Sequence, residues 1–497
     1  MAATLDELLS EARQAVAPQI VAPSTVSPGG VDPLGLRQIN FGLMDRVFPN
    51  LNNVARHVRP YVLMTWAWRR VRHILERDKR GGATNEAMRD FVDRIEPIYA
   101  WSQFLRDGRS DIPGGQALRK LLDEPKYNFG GDEWARRRDT RRFSTGLISP
   151  LNYGPSLQSM GWLIRADDAP GVFRADPDFD PLLDAFEAMM GKELDHPAFN
   201  RFGPVTVSRT DAERWGKIWA LDKPRSIERK AAFARLGGEL AVEARQHGVA
   251  LARAAYADLD DEEADLDEVR SRMADASEAW EDGDARPTTA ADWRVVQNRQ
   301  VFRLALEALF YWTVALLGNG PRHTCSIADA FLSELGGKLP LTARQWLLTG
   351  DDGENPVELL NTLRAAFGDP SSLPGVIVAS LRYCLNEAPA EALDFEAFDR
   401  LPLARARKEA ERWGSFAPRA CMMRIFETWI MAQHTYWCVG RGLADARNRG
   451  KTILRLRIVM DEGGWTQTPG TSLGNPPEAT HDRLETVISL LSECRKL

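Results

Sequence analysis

The chain has 497 residues, of which 44% are hydrophobic and 27% are charged, and its formal net charge is −6. These values are ordinary for a globular protein of two to four domains. They exclude a global polycation, so any nucleic-acid site has to be a local basic patch. Five scattered cysteines, an odd number, predict reduced thiols and a cytoplasmic location. The N-terminus has no basic flank and no continuous apolar run, so it does not predict a signal peptide.

The first 30 residues predict a short amphipathic helix and then a linker rich in Pro, Ser, Thr and Gly. Asp32 and Pro33 then predict a helix start, with an N-cap acceptor before a proline at the first helical position. Apolar residues recur at helical spacing as far as Phe48, and Pro49 ends the pattern. A second helix, aromatic and basic, follows up to Arg80, with a kink predicted at Pro60. The sequence therefore predicts a helical hairpin.

This hairpin carries a family resemblance in the residues Asp32, Leu34, Gly35, Phe48, Pro49, Arg59, Tyr61 and Trp66. The pattern resembles the opening module of uncharacterised bacterial protein families that are often encoded among antiphage defence genes. The resemblance covers only this N-terminal module. It implies a bacterial cytosolic protein that acts as one subunit of a defence system, and it implies no catalytic residue.

A basic region extends from Arg56 to Arg142, with 20 Lys and Arg against 13 Asp and Glu. Clustered arginines with interleaved tryptophans are typical of single-strand or phosphate-backbone contacts, although such runs also form solvated surfaces. The candidate nucleic-acid-binding residues are Arg56, Arg59, Arg69, Arg70, Arg72, Arg136, Arg137, Arg138, Arg141 and Arg142. The ligand could be DNA or RNA.

The middle of the chain alternates irregular and helical patterns. Residues 143–165, rich in small residues, Gly and Pro, predict short strands or a packed loop. Residues 258–284 hold 13 Asp and Glu against two arginines. Such an acidic stretch is typical of an exposed helix or linker. A metal site, a docking face for a partner and an internal counterweight to the basic region are the alternatives.

The last two hundred residues predict a helical core. Thr289 to Leu317 is the clearest helix, with a capping box from Thr289 to Asp292, an Arg303–Glu307 pair and an apolar second half too short to span a bilayer. Pro418 to Gly440 predicts a second core helix. A strand from Leu454, a turn and Trp465 to Thr468 predict a hairpin, and a final helix runs from Arg483 to Cys494. The predicted fold is mainly α, a multi-helix protein with irregular loop insertions and a small C-terminal β-hairpin.

Three sequence patterns resemble catalytic or binding motifs, but the residues around each of them do not support that chemistry. Gly450-Lys451-Thr452 lacks the first glycine of a phosphate-binding loop and precedes a predicted strand. Cys421, His434 and Cys438 lie on an apolar helix, which predicts core packing rather than a metal site. Asp111 with Glu124-Pro125-Lys126 has the letters of a metal-dependent nuclease, but Pro125 would interrupt the strand that this chemistry needs. The sequence therefore predicts no metal and no cofactor.

The sequence divides into four predicted segments: a helix and linker (1–30), a basic helical domain (31–145), a mixed domain with the acidic stretch (146–285) and a helical core domain (286–497). The leading interpretation is a non-enzymatic subunit of a bacterial, antiphage-type multiprotein system, which binds other protein subunits and DNA or RNA and no membrane. The alternatives are a metal-dependent nuclease, or another enzyme with a site assembled from distant carboxylates, and a pure scaffold whose arginines pair internally with the acidic stretch. Whether the protein is an enzyme stays open.

Overall fold

In the computed structural model of the protein, the fold is mainly α-helical with small two-stranded sheets, as the sequence predicts. The structure describes residues 32–77, 84–108, 112, 123–130, 153–166, 171–259, 265–275, 286–350, 355–386, 400–449, 455–471 and 473–497.

The helices occupy most of these residues. They are α1 (Arg37–Val47), α2 (Val58–Arg77), α3 (Asn85–Asp107), α4 (Gly154–Ser159), α5 (Asp180–Met190), α6 (Pro197–Asn200), α7 (Arg209–Ile218), α8 (Ser226–Leu236), α9 (Glu243–Ala257), α10 (Leu266–Asp275), α11 (Arg286–Leu317), α12 (Thr324–Leu335), α13 (Ala343–Leu347), α14 (Pro356–Ala366), α15 (Leu373–Asn386), α16 (Leu403–Trp413), α17 (Pro418–Arg424), α18 (Gln433–Arg449) and α19 (Leu484–Cys494). A π-helical segment, Ile425–Ala432, joins α17 to α18. Short 3-10 helices, Pro177–Phe179 and Gly191–Asp195, flank α5.

Six short strands within the described residues form three antiparallel pairs. Strand β1 (Lys126–Phe129) pairs with β4 (Val205–Ser208), and β2 (Leu163–Arg165) pairs with β3 (Phe173–Ala175). Near the C-terminus, β5 (Ile458–Asp461) pairs with β6 (Gly464–Gln467), and Asp461 lies opposite Gly464 across the turn. The predicted C-terminal hairpin is therefore confirmed, although its first strand begins at Ile458 rather than at Leu454.

The chain folds into two compact units, each assembled from stretches that are far apart in the sequence. As far as it is described, the first unit comprises residues 32–44, 270–275 and 290–480. The second unit comprises residues 45–269, 286–289 and 481–497, with the gaps given above. A division into consecutive segments does not describe this arrangement, because the final helix, α19, belongs to the second unit.

The core of the first unit is built around α11. The stretch Leu304–Leu309 is at most 1% exposed, which confirms the predicted core helix. Trp429, from the π-helical segment, is completely buried in the same core. Its ring contacts Phe302 and Trp413, and its Nε1 donates to a Glu409 carboxylate oxygen at 2.7 Å. Both helices that the sequence placed in the core are therefore there.

Helix α11 is also long and apolar enough, by length and composition, to cross a membrane. Its most apolar window is 83% buried inside the protein. Such burial is typical of the central helix of a globular core, because a membrane-spanning helix turns much of its apolar surface to lipid.

Polar side chains cross this core along one face of α11. Arg303 donates to Glu307 at 2.6 Å, and both side chains are completely buried, so the predicted i,i+4 pair is confirmed. Arg37 of α1 lies 3.8 Å from the same carboxylate. One turn earlier, the Gln300 side-chain oxygen accepts from Asn40 at 3.2 Å. Burial raises the pKa of Glu307, although the two guanidiniums oppose this change.

The second unit is organised around α2 and α3, which bury most of their aromatic residues. Trp66 is completely buried between Phe186 and Phe199. Helix α7 packs very closely on α3, because a Cβ added at Gly216 would lie 2.4 Å from the Ser102 carbonyl oxygen. Only glycine allows this approach, so replacing Gly216 would push the two helices apart.

Three details of the predicted helix starts are wrong. Asp32 does act as a cap, since its Oδ1 accepts from the Leu36 N–H at 2.9 Å. However, Gly35 has φ +73°, a left-handed conformation that delays the start of α1 by one turn relative to the prediction. Pro60 lies in the first turn of α2, where a proline needs no kink. Thr289 is inside α11 and not at its N-cap.

Candidate anion-binding cleft

The second unit contains a cleft of about 530 Å³ between the chain that leads into α8 and the end of α19. Four cationic and two anionic side chains line it, namely Lys223, Arg225, Arg229, Arg495, Asp222 and Glu493. Their formal charges add up to +2, in a chain whose net charge is −6. The cleft is thus a local basic site on an acidic protein.

The α8 wall of the cleft is anchored to the core through one buried ion pair. Arg59 of α2 donates to Glu228 at 2.8 Å and to the Lys223 carbonyl oxygen at 2.5 Å. Glu228 also accepts from the backbone N–H of Arg225, the residue before the helix. Lys223 and Arg225 therefore stand on a fixed backbone while their own side chains are exposed.

The opposite wall ends in a residue with an unusual backbone conformation. Arg495 has φ +57° at the C-terminus of α19, where its N–H donates to the Ser492 carbonyl at 2.9 Å. Glycine is the usual residue in such left-handed caps, and an L side chain there costs about 1–2 kcal/mol. This strained position carries one of the four cations of the cleft, and strained residues concentrate at functional sites.

Glu493 is one of the two carboxylates that line the cleft. One of its carboxylate oxygens lies 2.6 Å from His57 Nδ1, and the other accepts from the Val58 N–H at 2.8 Å. Val58 is the first residue of α2, so Glu493 caps that helix with a carboxylate at the positive end of its dipole. Helix α19 thereby places an acceptor in the lining of a basic cleft.

Two buried polar atoms near Glu493 have no hydrogen-bond partner among the described residues. They are His57 Nε2 and the hydroxyl of Tyr99, whose side chain is completely buried. Burial raises the pKa of Tyr99, and the charges of Arg59 and Glu493 act on its hydroxyl. Similar buried atoms occur elsewhere in the described residues, and neither His57 nor Tyr99 is among the residues that line the cleft.

The four cations of the cleft differ in whether their side chains already donate hydrogen bonds to the protein. Arg225 donates to the Ala185 carbonyl at 2.9 Å, and Arg229 donates to the Pro224 carbonyl at 2.9 Å. The Lys223 ammonium and the Arg495 guanidinium have no partner within the described ranges. Each guanidinium has five N–H donors, so every cation of the cleft retains donors for a ligand.

The charge of Asp222 is largely compensated within the protein. Arg106 lies 2.6 Å from its carboxylate. Burial alone would raise the pKa of Asp222, but the hydrogen bond and charge of Arg106, a backbone hydrogen bond and the charge of Lys223 together outweigh burial, and the pKa is lowered. Asp222 therefore stays ionised and already paired, which leaves the cations of the cleft to act on a ligand.

Most α2 arginines predicted to bind nucleic acid are instead internal structural groups. Arg59, Arg69 and Arg70 are 1%, 7% and 9% exposed. Arg69 donates to Asp184 at 2.7 Å, and Arg70 Nε donates to the Phe199 carbonyl at 2.9 Å. A guanidinium enclosed in this way cannot reach a phosphate without unfolding its surroundings. For these three residues the structure corrects the prediction.

The remaining predicted residues divide into two groups. Arg56 is partly exposed and pairs with Glu485, and Arg72 is exposed. Arg136, Arg137, Arg138, Arg141 and Arg142 lie outside the described residues. Trp66 and Trp68 of the same helix are at most 3% exposed. Of the five predicted arginines that the structure describes, three are buried, Arg56 is paired with a carboxylate and Arg72 is exposed.

The rejected cysteine and histidine motif has a structural explanation. Nδ1 of His434 lies 2.8 Å from the Pro33 carbonyl oxygen, and Nε2 accepts from the Arg457 N–H at 3.0 Å. Both ring nitrogens are thus used by the backbone, as in a core histidine. Cys421 and Cys438 are 1% and 6% exposed, and burial raises the pKa of both thiols. No group of three or more His, Cys, Asp and Glu that could hold a metal is present in the part of the chain that the structure describes.

The structure describes only part of the nuclease-like motif formed by Asp111 and Glu124-Pro125-Lys126. Asp111 lies outside the described residues, as do Gly450, Lys451 and Thr452. Lys126 is the first residue of β1, so Pro125 precedes the strand and does not interrupt it. The objection based on Pro125 is therefore wrong, although no metal-ligand group forms around this strand in the described ranges.

Sequence reasoning missed the cleft because its two walls are more than 260 positions apart in the chain. The signals are the short basic runs Lys223-Pro224-Arg225 and Arg495-Lys496, neither of which is unusual alone. Comparisons of the chain with protein-family models, with curated proteins and with solved structures found no match. The chemistry of the cleft is therefore the main guide to function.

Proposed function

We propose that the protein is a non-enzymatic helical subunit that binds a phosphate-bearing polyanion, a nucleic acid, through the cleft between α8 and α19. The observation that carries this proposal is the set of four cations lining one concave site. Phosphate oxygens are bound mainly by Lys and Arg side chains and by helix N-termini, and α8 begins at this cleft. The phosphate contacts thus move from the predicted α2 arginines to Lys223, Arg225, Arg229 and Arg495.

The wider biological setting rests on the N-terminal resemblance. The residues from Asp32 to Trp66 resemble the opening module of bacterial families encoded among antiphage defence genes. We propose on this basis that the protein works in the bacterial cytoplasm with other protein subunits. Purification together with the products of neighbouring genes tests this part, and a chain that elutes alone at every salt concentration would contradict it.

Nucleic-acid binding is tested by a salt series with labelled single-stranded DNA and RNA. The variant Lys223→Ala/Arg495→Ala removes the two cations of the cleft that have no internal partner in the described ranges. Because each phosphate contact releases condensed counterion, this variant should bind unrelated sequences more weakly. Its plot of log affinity against log salt should lose about 1.4 units of slope if both residues contact phosphate on a single strand.

The matched control is Lys192→Ala/Lys217→Ala, which removes two exposed cations of the same unit outside the cleft. Equal loss of affinity in both variants would mean that only net charge matters and would contradict the cleft. A third variant, Arg136→Ala/Arg137→Ala/Arg138→Ala, tests the remaining predicted arginines independently.

The same preparations address the two alternatives. Cleavage of the labelled strands that depends on a divalent metal would favour the nuclease. An absence of polyanion binding at low salt, together with stable complexes with partner subunits, would favour the scaffold. Observed partners of the α2 arginines, such as Glu228 and Asp184, lie outside the acidic stretch that the scaffold interpretation invoked.

A further inference from the structure

We infer that the cleft binds the phosphate monoester of a ribose, that is, a nucleotide, either free or at the phosphorylated end of a strand. This inference rests on the proposed function, because it takes the cleft as the anion site and specifies its ligand. Three properties of the cleft lead to it: its charge, its size and the carboxylate acceptor in its lining.

The charge of the cleft matches a monoester better than an internal phosphate. Four cations against two carboxylates give a formal charge of +2, and Asp222 is already paired with Arg106. A phosphate monoester carries about −1.5 to −2 at pH 7, whereas each phosphate inside a strand carries a single negative charge. A dianionic end therefore satisfies the concentrated cations with one group.

The size of the cleft also fits a small ligand. Its volume of about 530 Å³ is within the range of sites that enclose one small molecule. Proteins that bind the interior of a strand instead use grooves that follow the backbone and aromatic side chains on which bases stack. No aromatic side chain is among the residues that line the described cleft. The ligand is thus held through phosphate and sugar, without base stacking.

Glu493, in the lining of the cleft, supplies the acceptor that a ribose requires. The Glu493 carboxylate has one oxygen on His57 and the other on the Val58 N–H, and each oxygen retains a second lone pair. A carboxylate beside a phosphate site is a common partner of ribose hydroxyls. This carboxylate is therefore the group in the lining of the cleft that a sugar hydroxyl would contact.

The test uses the full chain and five probes: adenosine 5′-monophosphate, uridine 5′-monophosphate, inorganic phosphate, and two oligonucleotides of one sequence, one with a 5′-phosphate and one with a 5′-hydroxyl. We expect the two monophosphates to bind equally, since no base is read. Both should bind at least about tenfold more tightly than inorganic phosphate, because the sugar adds hydrogen bonds to a carboxylate. Lys223→Ala/Arg495→Ala should remove most of this binding, and Lys192→Ala/Lys217→Ala should not.

The oligonucleotides identify the source of the ligand. If the 5′-phosphorylated strand binds more tightly than its 5′-hydroxyl form and adenosine monophosphate competes with it, the ligand is a strand end. If only the free monophosphates bind, the ligand is a free nucleotide. Equal binding of the two strands without competition by monophosphate would overturn this inference and leave the proposed polyanion binding intact. No binding of any probe would overturn both.

A second variant distinguishes the contact of Glu493 with the ligand from its role in the fold. Glu493→Gln retains one oxygen and the shape of the side chain. It should weaken the binding of the monophosphates, whereas the binding of inorganic phosphate should stay the same or become tighter, because one negative charge is removed from the cleft. Its unfolding transition shows whether the variant is folded. If it weakens both probes equally while folded, the carboxylate does not contact a sugar, and the ribose part of the inference fails.

Discussion

Two sets of cations in the second unit show how differently the same chemistry is used. On α2, Arg59 and Arg69 are at most 7% exposed and donate to protein carboxylates and carbonyls. In the cleft, Lys223 and Arg495 are exposed, and their charged groups have no partner in the described ranges. The first set joins elements of the fold, whereas the second set is available to a ligand.

The difference teaches that an arginine-rich helix is not by itself a binding surface. A buried guanidinium must be paired and hydrogen-bonded, because an uncompensated charge in the interior is very unfavourable. Once its donors are used inside, that side chain contributes to stability and architecture. An exposed cation contributes little to stability, so a concentration of such residues in one concave place is more informative about function.

The largest expected effect comes from breaking the buried pair. Arg59→Ala should lower the free energy of unfolding by about 3–5 kcal/mol, because it leaves Glu228 buried without its partner. Urea unfolding measures the change. The combined variant Arg59→Met/Glu228→Leu should recover most of the loss, since an apolar pair replaces the ionic one. A loss below about 1 kcal/mol for the single variant would show that Arg59 is not a buried structural group.

A buried apolar residue in the first unit offers a comparison for the stability loss expected of Arg59→Ala. Trp429→Ala should lower the free energy of unfolding by about 3–5 kcal/mol, through lost contacts and the cavity that remains. Thermal and urea unfolding check it. Tyr436→Ala, at a position that is 46% exposed on the next helix, is the control and should cost less than about 1 kcal/mol. Similar losses in both variants would contradict the buried position of Trp429.

A buried histidine in the first unit should make the stability of the protein depend on pH. Burial lowers the pKa of His434 from 6.5 to about 4. The unfolded chain therefore binds more protons between these values, so stability is complete above pH 6.5 and is lost as the pH falls towards 4. The loss is about 3 kcal/mol at most. His434→Gln should flatten this part of the stability curve, and the exposed His481→Gln should not. An unchanged slope in the first variant would contradict the assignment.

The smallest effect on stability is expected in the cleft itself. Arg495→Gly relieves a left-handed backbone conformation, so the free energy of unfolding should stay the same or rise by up to about 1 kcal/mol. Polyanion affinity should fall, since a cation of the cleft is lost. Arg495→Ala, which removes the charge but keeps the strained backbone, separates the two contributions. If affinity falls in neither variant, Arg495 has no part in binding.

The amino-acid sequence by itself determined the elements with strong local signals. Helical periodicity was sufficient for the apolar half of α11 and for α19, and turn residues were sufficient for the hairpin of β5 and β6. The i,i+4 pair of Arg303 and Glu307 also follows from spacing alone. These features depend on neighbours within about one turn, so a linear pattern contains the necessary information.

Only the tertiary structure decided which charged residues are enclosed and which are available. Arg59 and Arg72 look alike in sequence, yet the first is buried against a carboxylate 169 positions away and the second is exposed. The cleft likewise brings together Lys223, which precedes the start of α8, and Arg495, which follows the end of α19. Solvation and ion pairing depend on packing between distant segments. No local pattern reports that packing, so the candidate site could be found only in the folded chain.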